Sequence, residues 1–239
     1  MDYEEMNYQS FSRDRQLEAS YAFPALMRKT YLWMSMALVI TGLTAYVVAT
    51  NAAISNFLFM HSQLIWVLFL AEIGLVIGLS AAIRKISLSA ATLMFVAYAA
   101  LNGVTFSSLF YVYTMGSLAS TFFITAGTFG AMSLVGFFTK ADLSSMGKIL
   151  LMALIGLIIA SVVNIFVASS GLEVLMTYLG VLIFVGLTAY DTQKIKQMFL
   201  MAPDASEATQ KYAVLGALTL YLDFINLFLY LLRVFGRRE

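Results

Sequence analysis

The stretches GVLIFVGLTAYD (180–191) and AVLGALTLYLDFINLFLYLL (213–232) decide how this chain folds. Each is apolar enough for a membrane helix, yet each carries an acid: Asp191 closes the first and Asp223 lies inside the second. An ionised carboxylate is costly in hydrocarbon, so an acid in a spanning helix marks a functional site by default. If the two helices touch, the carboxylates must share or exchange protons, and the pair becomes a pH-sensitive element.

The rest of the chain agrees with a membrane reading. Of 239 residues, 61% are hydrophobic and 11% charged, and the mean hydropathy is +0.87. A soluble domain carries about 25% charged residues, so the composition predicts an all-α integral membrane protein. There is no cysteine, which excludes disulfides, thiolate catalysis and zinc–thiolate sites. The single histidine, His61, excludes His-pair metal motifs and reads as a surface residue of an outer loop. Residues 1–29 lack the apolar core of a cleaved signal peptide and read as a cytosolic tail.

A spanning helix needs about 20 mostly apolar residues. Seven stretches qualify, roughly 30–50, 64–83, 89–113, 117–138, 149–169, 174–193 and 212–233. They predict one seven-helix domain over 30–236 with a short tail at 237–239. Pro24 and Pro203 fall outside these spans, so no span is expected to be kinked by proline. Basic residues cluster in the N-terminal tail (Arg13, Arg15, Arg28, Lys29) and in alternate loops: Arg84 and Lys85, then Lys140 and Lys148, then Lys194, Lys196 and Lys211. That alternation predicts a cytosolic N-terminus. A crossing by the seventh segment places Arg233, Arg237 and Arg238 outside, against the rule; a full span is the expectation because the segment is long enough. The pairs Gly74/Gly78, Gly127/Ala131 and Gly156/Ala160 are expected to let helices approach closely.

In the last segment Gly216, Thr219, Asp223, Asn226 and Tyr230 recur at three- and four-residue steps and share a face. A second row, Tyr98, Asn102, Thr105 and Ser108, lies in the third segment. Asn102 and Asn226 are the candidate pathway-lining polar residues. Asp191 is expected about one turn below the cytosolic surface, at a level where Asp223 can meet it. Arg84, at the end of the second span, is the natural counter-charge, a cytosolic latch. Glu72 precedes it by twelve residues, about 18 Å along a helix, and Arg233 is the one basic residue at that level. Glu72 and Arg233 are therefore a candidate outer latch. Asp142 and Glu173 read as solvated loop acids.

The segments GLTAYDTQKIK (186–196) and LGALTLYLDFINLFLYLLRVFG (215–236) resemble the signature of the Bax inhibitor-1 family, and TAGTFGAMSLVGFFTKADLSSMGKILLMALIG (125–156) is similar to its bacterial branch. The resemblance covers about residues 28–236. It implies six helices around a central C-terminal helix, and a pH-dependent calcium leak gated by a paired-aspartate sensor, Asp191 and Asp223, with Arg84 as the latch. It also implies a bacterial cytoplasmic (inner) membrane location. Regulation through a lysine-rich tail like that of eukaryotic members is not expected, since the sequence reads GRRE at 236–239.

Two carboxylates in low dielectric resist ionising together, so titration belongs to the cluster and not to one residue. Adding a proton is expected to loosen the latch and open the inner mouth. Calcium prefers oxygen ligands, so Asp191 and Asp223 are also expected to be a transient calcium site, with calcium as cargo and no cofactor. The expected partners are the bilayer, calcium and another membrane protein, without nucleic acid. Two other readings stay open: a non-conducting regulator of another membrane protein, such as a membrane protease, and a proton/calcium exchanger. Tyr190-Asp191 matches one motif of intramembrane aspartyl proteases, but their second acid follows Gly-x-Gly, whereas Asp223 follows Leu220-Tyr221-Leu222. No enzyme is expected.

Overall fold

A computed structural model describes residues 3–61, 63–202, 204 and 206–237, with side chains from Ala22 onward. Pro203, Arg238 and Glu239 lie outside the described residues, as do the side chains of Arg13 and Arg15. The elements of the described chain are helices: α1 (Tyr3–Thr50), α2 (Ala52–Met60), α3 (Gln63–Ala82), α4 (Leu88–Phe106), α5 (Met115–Phe138), α6 (Ser144–Val167), α7 (Ser170–Leu200) and α8 (Glu207–Phe235). A 3-10 turn, Ser107–Tyr111, prolongs α4. Seven of these helices are long and apolar enough to cross a membrane, whereas α2 has only 9 residues. Asn51 separates α1 from α2 by capping the latter, its Oδ1 accepting the amides of Ala53 and Ile54 at 3.1 and 3.2 Å.

Helix ends depart from expectation in three places. α1 begins at Tyr3, so Pro24 lies inside a helix and inside the span Ala22–Thr50. The polar stretch before the span includes Glu, Gln and Arg, good helix formers that carry the helix past the apolar boundary. α7 runs on to Leu200, so Lys194 and Lys196 ride on a helix and not on a loop. Asp191 therefore stands nine residues, about 13 Å, before the helix end. Glu173 belongs to the first turn of α7, not to a loop.

The chain forms two compact units, one from residues 1–105 and 195–218, the other from 106–194 and 219–239. In the first, α1 and α4 come close: Thr41 Oγ1 donates to its own helix at Ala37 and across to the carbonyl of Ala99, both at 2.9 Å. A Cβ on Gly103 would lie 2.6 Å from Thr44 Cβ, so glycine is required there. The base of α8 is tied to the α3–α4 turn, with Lys211 Nζ donating to the Ile86 carbonyl at 2.9 Å and Glu207 accepting the Leu88 amide at 3.0 Å.

In the second unit α7 packs on three helices through small residues. Gly136 of α5 faces the backbone of Ala189, Gly147 of α6 faces the ring of Tyr190, and Gly180 faces the ring of Tyr230. Of the pairs singled out by spacing, Gly74, Gly127 and Gly156 have open space where a side chain would begin, and Gly78 meets only the Met94 methyl, at 3.4 Å. Four-residue spacing shows that two small residues share a face, not that a neighbour covers it. Of the seven spans α8 is the most enclosed, 61% buried against 6% for α3 and α6.

Candidate functional site

Asp191 and Asp223 belong to the same unit, and a ring contact sets their level. Phe184 of α7 stacks on Tyr230 of α8, centroids 5.8 Å apart at 26°. Seven residues separate Phe184 from Asp191, and seven separate Asp223 from Tyr230. Seven residues are two turns, so on antiparallel helices both acids return to the facing side about 10 Å along. The carboxylates indeed lie within electrostatic reach of each other.

Their surroundings differ. Asp223 is only 5% exposed, and its Oδ2 is buried without a hydrogen-bond partner. Asp191 is half-buried. The cation within reach of both is Lys194, itself exposed and lying over the Tyr190 ring, 5.7 Å from its centroid. One turn of α7 thus carries an acid, its counter-charge and the aromatic that seats the helix against Gly147.

The loop after α5 is fastened to the same turn. Gln193, 6% exposed, donates from Nε2 to the Ala141 carbonyl at 2.8 Å and accepts the Leu143 amide at 2.9 Å. Thr192 Oγ1 donates to Ser133 Oγ of α5 at 3.4 Å. Within the loop, Asp142 accepts the Ser144 amide at 2.9 Å, and the Ser144 hydroxyl, then this amide, hold its carboxyl below the usual carboxylate range. α5 also packs on α8: Phe224 lies 5.5 Å, centroid to centroid, from both Phe122 and Phe129.

The other sequence candidates are placed as follows. Asn226 is half-buried and donates to the Leu222 carbonyl at 2.8 Å. Asn102, buried, donates to the Tyr98 carbonyl at 3.2 Å. Glu72 accepts the Thr105 hydroxyl at 2.6 Å, which joins one member of the third-segment polar row to an acid on α3. Arg233 is exposed and lies over the Tyr230 ring, 5.4 Å from its centroid. Arg84 is exposed in the turn after α3. His61 is exposed at the end of α2, its Nδ1 2.9 Å from the Phe57 carbonyl. Among the described residues no three His, Asp or Glu side chains converge on a metal position.

Sequence reading missed Lys194 and Gln193 as parts of the site: it gave Lys194 to a loop and took Gln193 only as the last residue of a span. It also passed over the hydroxyl row on α5, Ser117, Thr121, Thr125 and Ser133, all buried. The signal was present in their four-residue spacing.

An enclosed α8 with an acid at its core and a partner acid on α7 is what the resemblance implied, and comparison with known proteins bears the family out. Residues 24–239 match the family described as inhibitor of apoptosis-promoting Bax1. The chain belongs to the Bax inhibitor-1 family. A relative from Escherichia coli K12, the inner membrane protein YbhL, is 52% identical over 215 residues, 89% of this chain and 92% of its own length. A protein of Borreliella burgdorferi is 49% identical over 213 residues, again 89% and 92% of the two chains. A membrane protein of Streptococcus pyogenes, SpyM3_0260, is 42% identical over 168 residues, 70% and 72% of the two. The Bax inhibitor-1 match thus takes in all seven spanning helices, beginning two residues into the first span.

Proposed function

We propose that this protein is a pH-dependent calcium leak of a bacterial inner membrane, with its N-terminus in the cytosol and Asp191 and Asp223 as the proton sensor. The observation that carries the reading is the buried, unpartnered Oδ2 of Asp223 within electrostatic reach of a second acid. A carboxylate so placed has no stable way to stay charged alone in low dielectric, so a proton or a cation must answer it. Fully ionised, the two acids and Lys194 sum to one negative charge; one added proton makes the cluster neutral. Protonation therefore weakens the field that holds Lys194 to the acids, one of the two attracting carboxylates being neutralised, and acidification raises the leak. The same oxygens suit a calcium ion in passage, held weakly enough to leave.

The test is calcium flux in proteoliposomes across a pH series, with Asp191→Asn and Asp223→Asn beside the wild type. Flux that rises on acidification, and a flat pH profile in either variant, support the sensor. A wild-type profile in both variants rejects it.

A further inference from the structure

Helix α2 joins two spanning helices and is too short to span. Its 9 residues reach about 13 Å, against about 30 Å of hydrocarbon. Asn51 alone separates it from the last residue of α1, and two residues separate it from α3. The His61 carbonyl accepts the Leu64 amide at 2.8 Å, so the turn into α3 is tight. These tethers hold α2 at the level where both spans leave the membrane. Exposed aromatic side chains mark that level on either side: Tyr46, one turn before the end of α1, and Trp66, one turn into α3 and 70% exposed. Tyr and Trp gather where hydrocarbon meets headgroups.

Nothing in the segment opposes entry into that zone. Residues 51–62 contain no Asp, Glu, Lys or Arg. The ends of α2 are satisfied by the chain itself, as apolar surroundings require. Asn51 Oδ1 accepts the first amides, the Asn51 carbonyl accepts the Ser55 amide at 3.0 Å, and the Phe57 carbonyl accepts the His61 amide at 3.1 Å. The Ser55 hydroxyl donates to the Ala52 carbonyl at 3.3 Å. Ser55 is buried and Leu58 half-buried; three residues apart, they share the face turned to the protein. The opposite face carries Ala53, Phe57 and Met60, all exposed, Met60 at 81%. Scattered apolar residues are ordinary on a surface, but a whole apolar helix face with no charge near it is not.

We infer that α2 is an interfacial helix. It lies in the plane of the bilayer surface, at the end of α3 away from Arg84 and Lys85, with Ala53, Phe57 and Met60 seated among the first methylenes of the phospholipid chains. Lipid is the occupant because the surface beside α2 already faces lipid: α3 is only 6% buried. With no Lys or Arg on the segment, apolar burial and not headgroup charge drives the seating. Zwitterionic phospholipid therefore serves as well as anionic. The inference rests on unit 1 alone and holds whichever ion the protein moves.

Nitroxide labels on the full chain in liposomes test it. The sequence has no cysteine, so single cysteines carry the label without background. Oxygen concentrates in lipid and a nickel chelate in water, and the ratio of their access to a label reads its depth. Ile73→Cys, exposed on α3, gives the lipid end of the scale, and Ser206→Cys, exposed between α7 and α8, the water end. The expected ratio at Ala53→Cys and at Met60→Cys is several-fold above that at Ser206→Cys. It is the same in phosphatidylcholine vesicles with and without phosphatidylglycerol. A ratio at either position equal to that at Ser206→Cys puts α2 in water and overturns the inference. Exclusion of both reagents, the mark of protein contact, overturns it as well. So does seating that requires phosphatidylglycerol, since charge would then be the driver.

Discussion

Gly136 and Ala189 meet backbone to backbone: the carbonyl oxygen of Ala189 occupies the place where a side chain on Gly136 would begin. Ala189 is two residues before Asp191, so this contact sets how closely α7, with its acid, lies on α5. A helix backbone cannot yield as a flexible side chain can. Gly136→Ala should therefore lower stability by about 1–3 kcal/mol and disturb the pH profile of flux. Gly156→Ala, with open space at its Cβ, should stay within about 0.5 kcal/mol of wild type. Thermal unfolding in detergent compares the two, and equal losses would remove the distinction.

Lys194 is the cation shared by the two acids. Replacing it with Met leaves the carboxylates without a compensating charge, so a proton is taken up more readily. The pH of half-maximal flux should move upward, by about half a unit to one unit because an exposed lysine is partly screened by solvent. Movement downward would contradict the proposed sign.

Gln193 joins the α5–α6 loop to α7 by two hydrogen bonds. Gln193→Ala leaves the Leu143 amide and the Ala141 carbonyl to find water, at a cost of about 1–3 kcal/mol. Amide exchange at Leu143 should accelerate at least tenfold while exchange in the middle of α6 is unchanged. If Leu143 exchanges as in the wild type, the loop is held by something else.

Asp142 separates a loop acid from the sensor. The Ser144 hydroxyl and amide keep its carboxyl below the usual range, so the turn they stabilise is fully formed above the unfolded value and is lost only as pH falls through the lower, folded one. Across pH 5–8 Asp142 stays ionised, and Asp142→Asn should leave the pH profile of flux where it was. A shifted midpoint would place part of the sensor in the loop.

Ala168 ends α6 with φ 50° and ψ 38°, a left-handed conformation that suits glycine. Ala168→Gly should raise stability by about 0.5–1 kcal/mol, read as a higher unfolding temperature with unchanged flux.

The amino-acid order was sufficient for the seven spans, since a 20-residue apolar run has one way to satisfy its backbone in lipid. It was sufficient, too, for choosing Asp191 and Asp223, because an acid in such a run stands out by chemistry alone. It could not say where polar helix ends stop. Lys194 looks like a loop residue, and Gln193 like the end of a span, but α7 runs on to Leu200. Nor could it say which faces are covered: Gly127 and Gly156 share the chemistry of Gly136 and Gly147, yet only the latter two meet a neighbour. Coverage depends on contacts between residues far apart in the chain, and a local pattern holds no information about them. The level meeting of the two acids is of that kind, fixed by how Phe184 lies against Tyr230.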